Sequence, residues 1–182
     1  MTAPSSRVIA VFGASMSAPG DGQFEEGVRC GQLLASVGMA VATGGYGGLM
    51  EAVSQGAASA GGRVIGVTAP TVFPDRTGAN PHVTEELRAA SLTERIHELI
   101  HVSDGSIALH GSLGTATELL VAWNLAFVAR YSGRSPGPVI AVGDRWAHLV
   151  ASLARDLETD GSLVHCVADV DAAVELLADL LG

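Results

Sequence analysis

The sequence predicts one α/β domain over residues 1–182, a doubly wound parallel sheet of Rossmann-like type with helices on both faces. Short runs that are apolar throughout alternate with helix-compatible stretches, the pattern of strands buried on both faces. Three of the strand-to-helix turns are built from glycine and other small residues, at the sheet edge where this architecture places ligands. At 182 residues and 48% hydrophobic, the chain is also of a size to bury one core without a second domain.

Along the chain, Arg7 to Gly13 is an apolar, β-branched run ending in a Gly-Ala-Ser turn, and Gln23 to Val37 follows with helical spacing and Gly38 as its stop. Residues 1–6 ahead of it are expected to be flexible. Met39 to Thr43 is a second strand, closed by Gly44-Gly45-Tyr46-Gly47-Gly48 before a helix of small residues from Leu49 to Ala60. Val64 to Thr68 is a third strand. Ala69 to Thr84 carries three prolines and reads as a long loop, of a length that is often functional. A short extended piece near Glu86 to Ala90 precedes a helix from Leu92 to Val102, then a strand Ser106 to Leu109, the turn His110 to Gly114 and a helix from Thr115 to Ala129. A strand Val139 to Val142, a helix Trp146 to Leu157, a strand near Val164 to Val167 and a helix Val170 to Leu181 complete the order.

Composition excludes several functions. With 19 acidic against 10 basic residues the formal charge is -9, and no segment concentrates arginine into a track for a phosphate backbone, so nucleic acid is not an expected partner. All ten basic residues are arginine. Without lysine there is no Schiff base for pyridoxal phosphate and no Walker-type phosphate loop. Cys30 and Cys166 have no metal-ligand or disulfide spacing, which fits a reducing compartment. No signal peptide or run of membrane-spanning length is present, so a cytoplasmic, soluble protein is expected.

The turns Gly13-Ala14-Ser15, Gly44 to Gly48 and Gly111-Ser112-Leu113-Gly114-Thr115 can each expose backbone N–H groups, and the helix that follows aims further amides and partial positive charge at an anion. From these turns Gly13, Ser15, Gly44, Gly45, Gly48, Gly111, Ser112, Gly114 and Thr115 are the candidate phosphate-binding residues. Each turn alone reads more readily as a tight turn with close helix packing; three on one edge favour an anion site. The Gly111 turn also resembles the nucleophile elbow of an α/β-hydrolase, but His110 stands where the first glycine belongs and neither His148 nor His165 completes a triad.

Ser91-Leu92-Thr93-Glu94 matches a capping box, which puts Arg95 in the opening turn of its helix, where the helix dipole disfavours a cation. Thr115-Ala116-Thr117-Glu118 matches a second, which brings Glu118 within about one turn of the Gly111 loop. On these patterns alone Glu118 is either a reciprocal cap or a site carboxylate, and Arg95 either a surface ion-pair partner of Glu94 or Glu98 or a site cation.

Gly44-Gly45-Tyr46-Gly47-Gly48-Leu49-Met50-Glu51-Ala52-Val53 and His110-Gly111-Ser112-Leu113-Gly114-Thr115-Ala116-Thr117-Glu118 resemble the paired patterns GGGxxGLMGAVA and PGGxGTxxE of the Lonely Guy (LOG) family, often labelled lysine decarboxylase-like. The order and spacing match over nearly the whole chain. The resemblance implies a Rossmann-like homodimer that hydrolyses the N-glycosidic bond of a nucleoside 5'-monophosphate, a cytokinin riboside monophosphate or AMP, to free base and ribose 5-phosphate, with neither cofactor nor metal. A decarboxylase that needs lysine does not fit this chain. The same resemblance makes Arg95 and Glu118 the catalytic pair, with the arginine's fork clamping phosphate or ribose, and Gly111, Ser112, Gly114 and Thr115 the phosphate loop. An alternative within the broader superfamily is a non-catalytic carrier of a nucleotide or of the molybdenum cofactor. The chain departs from the family pattern at His110, in place of proline, at Ser112, in place of the second glycine, and at Leu92, Thr93 and Ile96 around the arginine. These departures leave the fold expectation intact and bear on which nucleotide is taken. The helix from Thr115 to Ala129, with Trp123 and Phe127, is either the dimer face or a core helix.

Overall fold

The computed structural model describes residues 7–76, 78–132 and 137–182; the expectation for residues 1–6 lies outside these. Strands β1 (Val8–Phe12), β2 (Ala40–Thr43), β3 (Val64–Thr68), β4 (Glu85–Arg88), β5 (Gly105–Ala108), β6 (Val139–Val142) and β7 (Val164–Val167) form one sheet. Helices α1 (Gly22–Ser36), α2 (Leu49–Ser59), α3 (Leu92–His101), α4 (Leu113–Ser132), α5 (Asp144–Asp156) and α6 (Val170–Leu181) cover it. The strand order is β4-β3-β2-β1-β5-β6-β7 and every pairing is parallel. This is the doubly wound α/β fold that the sequence predicts.

The chain winds outward from β1 to β4, then returns to lay β5 on the other side of β1, so Ile9 has Val41 beside it in β2 and Gly105 in β5. The strand order therefore reverses between β1 and β5, which opens a crevice outside their carboxyl ends. Successive side chains of β1 enter opposite cores. Ile9 and Val11 pack with residues of α1, α2 and α6, whereas Ala10 and Phe12 pack with α3, α4 and α5. A strand with a core on each face must be apolar at every position, which is why β1, β3 and β6 stand out in the sequence.

Four local readings shift. The extended piece expected near Glu86 is a full parallel edge strand, its charged Glu85, Glu86 and Arg88 protecting the open edge. Helix α4 begins two residues before Thr115 and runs to Ser132. Helix α5 begins at Asp144 behind Gly143, and a single 3-10 turn, Gly161–Leu163, precedes β7. The 69–84 loop is irregular as expected but pinned: the Asn80 amide and side chain both donate to the Gly45 carbonyl, and Ala69 donates its amide to the Tyr46 hydroxyl at 2.8 Å. Among the described residues no helix is long and apolar enough to cross a membrane.

Candidate functional site

The three small-residue turns meet at the switch point, tied together through Ala14. Its amide donates to the His110 carbonyl at 3.0 Å, and its carbonyl accepts from the Leu49 amide at 2.8 Å. One hinge residue thus links the turns after β1, β2 and β5. Beneath them lies a cleft of about 230 Å³. Of the predicted residues, Gly13, Ser15, Gly44, Ser112, Gly114 and Thr115 line it, together with Arg95 and Glu118.

Gly45, Gly48 and Gly111 lie off the cleft and hold the turns together. Both Gly45 and Gly48 have φ of +75°, where a side chain is strained, and a Cβ on Gly48 would lie 2.5 Å from the Ala14 carbonyl oxygen. A Cβ on Gly111 would lie 2.0 Å from Thr115 Oγ1, so this glycine lets the first turn of α4 close onto the end of β5.

That closure explains why the second capping box does not form. The Ala116 amide donates to the Ser112 carbonyl at 3.0 Å, which starts α4 at Leu113 and places Thr115 inside its first turn. The amides of Leu113, Gly114 and Thr115 therefore have no acceptor within the helix, and Gly114 has open space where a Cβ would be. Such amides, with the positive end of the helix dipole, suit an oxyanion.

Arg95 is held as few cations are. Ser91 caps α3, accepting from the Glu94 amide at 3.1 Å, while the Glu94 carboxylate accepts from the Ala90 amide at 2.8 Å. One residue further on, Arg95 is only 6% exposed and its side chain lies across the ends of β2 and β3. Its Nε donates to the Val67 carbonyl at 2.8 Å and its Nη2 to the Gly44 carbonyl at 2.9 Å. Two of the fork's nitrogens are thus engaged by backbone carbonyls, and the third, Nη1, faces Glu118 Oε1 at 3.8 Å. Neither surface ion pair with Glu94 or Glu98 forms.

Glu118 comes from the second turn of α4 and is 9% exposed. Its carboxylate makes no hydrogen bond among the described residues, and no buried side-chain oxygen there lacks a partner, so its oxygens open onto the cleft. Burial pushes its pKa up to about 7, against the opposing pull of the Arg95 charge. Burial likewise lowers the pKa of Arg95, with Glu118 acting in the opposite sense. The pair is a buried charge couple at a spacing too long for a direct hydrogen bond, with a carboxyl poised to ionise near neutral pH.

The SLOG cluster4 family matches residues 6–128, well over half of the sequence. The chain belongs to the SLOG cluster4 family. An uncharacterized protein of Archaeoglobus fulgidus is 32% identical to it over 94 residues, 52% of this chain and 60% of its own length. Cytokinin riboside 5'-monophosphate phosphoribohydrolase LOG5 of Arabidopsis thaliana is 40% identical over 82 residues, 44% of this chain and 36% of its own. The chain therefore matches less than two thirds of the length of either curated relative. Solved structures are similar over a longer span. The molybdenum cofactor binding protein of Rippkaea orientalis superposes with a TM-score of 0.77 at 25% identity, over 97% of this chain and 98% of that one. The Moco carrier protein of Chlamydomonas reinhardtii does so at 0.74 and 26%, over 98% and 99%.

In this SLOG cluster4 chain the cleft also holds residues that the sequence did not single out. Phe73 and Arg76, both from the long loop after β3, form one wall. Phe73 meets Tyr46 edge to face at 5.6 Å between ring centroids, and the Arg76 guanidinium lies over both rings. Its length marked this loop as a functional candidate; nothing periodic marked which of its side chains turn inward. Met50 lines the cleft from α2, its sulfur 3.6 Å from Arg95 Nη2. Trp123 is a core residue, 5% exposed and donating to the Asp160 carbonyl, so the dimer-face reading of α4 does not extend to it.

Proposed function

We propose that the protein hydrolyses the N-glycosidic bond of a nucleoside 5'-monophosphate, such as AMP or a cytokinin riboside monophosphate. The observation that carries this is Glu118: a buried, cleft-facing carboxylate beside a buried guanidinium, one helical turn from a loop of free amides. The phosphate sits on the amides of Leu113, Gly114 and Thr115, which fixes the ribose beneath it. Water attacks the anomeric carbon and gives its proton to Glu118; the carbon–nitrogen bond breaks, its electron pair leaves with the base, and the base takes up one proton. The Glu118 charge also stabilises the oxocarbenium character that builds on the ribose. Arg95 acts through Glu118, keeping part of the carboxyl population ionised at neutral pH.

A carrier of a phosphorylated cofactor is the second reading, favoured by the similarity to molybdenum-cofactor proteins across 97% of the chain. A carrier has no use for an anomeric base, so Glu118 separates the two. Incubation of the pure protein with AMP and isopentenyladenosine monophosphate, following free base beside Glu118→Gln, tests the choice: release that vanishes in the variant supports the hydrolase, and binding without release supports the carrier.

A homodimer forms part of the same proposal. Helix α4 leaves Leu120, Leu125, Val128 and Tyr131 exposed, with Leu113 beside the cleft, a row of apolar side chains that a second copy can cover. Light scattering of the wild type and of Leu120→Glu reads this directly, with a monomeric wild type counting against it.

A further inference from the structure

The anionic part of a ligand in this cleft needs a cation, and Arg95 is already largely committed to the protein. Its Nε and Nη2 are engaged by the carbonyls of Val67 and Gly44, and its Nη1 faces Glu118. Arg76 lines the same cleft in a different condition. Among the described residues its guanidinium donates no hydrogen bond and has no carboxylate within ion-pair distance, although it is half-buried. Its carbon lies 4.5 Å from the centroid of Phe73 and 4.7 Å from that of Tyr46. The seat itself is firm: Tyr46 is 4% exposed and its hydroxyl accepts from the Ala69 amide.

Cation–π contacts to two rings set 75° apart hold the guanidinium and leave its N–H edge without a hydrogen bond. That edge carries five donors in a fork that matches two oxygens of a phosphate. The charge reaches into the site, since it opposes that of Arg95. Resting on the proposed nucleotide chemistry, we infer that Arg76 is the cationic phosphate contact of this cleft and makes it select phosphorylated over unphosphorylated nucleosides. Arg95 and Arg76 then divide two tasks: one sets the carboxylate, the other binds the oxyanion.

Calorimetric titration of the wild type, Arg76→Ala and Arg76→Lys with ribose 5-phosphate and with adenosine tests this without requiring turnover. Arg76→Ala is expected to bind ribose 5-phosphate at least about tenfold more weakly, with adenosine affinity unchanged, and Arg76→Lys to recover part of the loss. Equal affinity of wild type and Arg76→Ala for ribose 5-phosphate overturns the assignment. So does an equal loss for adenosine, which would make Arg76 a stacking surface for the base, and so does a wild type that does not bind ribose 5-phosphate. Base release from AMP that survives Arg76→Ala with its KM unaltered defeats this assignment and spares the hydrolase. The expected binding pattern with no release defeats the hydrolase and spares the assignment.

Discussion

Gly44 is the floor on which the Arg95 guanidinium rests: a Cβ there would lie 1.8 Å from Nη2 and 2.6 Å from the Met50 sulfur. Its carbonyl also accepts from the same Nη2, so one residue gives the arginine both space and an acceptor. The glycine that the sequence offers as a phosphate contact thereby doubles as a seat for the cation.

Substitution Gly44→Ala should therefore displace Arg95 without straining its own backbone, because Gly44 does not have a positive φ. A loss of roughly 1–3 kcal/mol is expected from the overpacking, with base release reduced as far as in Arg95→Ala. Gly114→Ala is the stability control, since a Cβ there meets nothing within 4 Å. Thermal melts of the two variants should separate clearly; equal melts would mean that the guanidinium moves aside at no cost.

The raised pKa of Glu118 makes two pH predictions. The proposed hydrolysis needs the ionised form, so base release should climb with pH through a midpoint of about 7. For stability the sign is opposite. The folded state holds this proton more tightly than the unfolded chain, so its contribution is complete below the ordinary carboxyl value of 4.5 and is lost as pH rises through about 7. Glu118→Gln escapes that loss. Denaturant melts across this window should show the variant gaining on the wild type as pH rises, by up to roughly 3 kcal/mol. A constant difference would place the Glu118 pKa back in the usual range.

Much of the fold is legible because each central strand serves two cores. Ile9 and Ala10 face opposite layers, so a continuous apolar run is a physical necessity there and the parallel sheet follows. Edge strand β4, Glu-Glu-Leu-Arg, has no such demand and reads only as a short extended piece. Ser91-x-x-Glu94 marks a real helix start, whereas the identical pattern at Thr115 fails because Gly111 and Ser112 allow α4 to begin earlier. The Arg95 and Glu118 pairing has no local signal; α3 and α4 lie on one face of the sheet and converge only once it forms. Phe73 and Arg76 are harder still, because an irregular loop has no period from which to read direction.

Arg95 tests whether fork geometry or bare charge matters. Lysine at this position keeps a cation near Glu118 but cannot reproduce donation to both Val67 and Gly44, leaving buried carbonyls short of partners. Arg95→Lys should cost about 2–4 kcal/mol and retain a pH midpoint near that of the wild type. Arg95→Met removes the charge that restrains the Glu118 pKa, so its residual base release should shift to a higher midpoint. Identical midpoints in the two variants would count against electrostatic coupling across the 3.8 Å gap.

The close approach of Gly111 and Thr115 sets where the first turn of α4 lies. A Cβ on Gly111 would lie 2.0 Å from Thr115 Oγ1 and 2.4 Å from its Cβ, so Gly111→Ala must push the first turn of α4 away from the end of β5. The amides of Leu113, Gly114 and Thr115 move with that turn. Ribose 5-phosphate should then bind at least about tenfold more weakly, while the core around Leu119 and Trp123 keeps most of its stability. Because the obstacle is the Thr115 side chain, adding Thr115→Gly to Gly111→Ala should restore much of the affinity, a coupling that independent effects cannot produce. If Thr115→Gly alone weakens binding and the double variant is weaker still, the threonine hydroxyl rather than the position of the turn carries the phosphate contact.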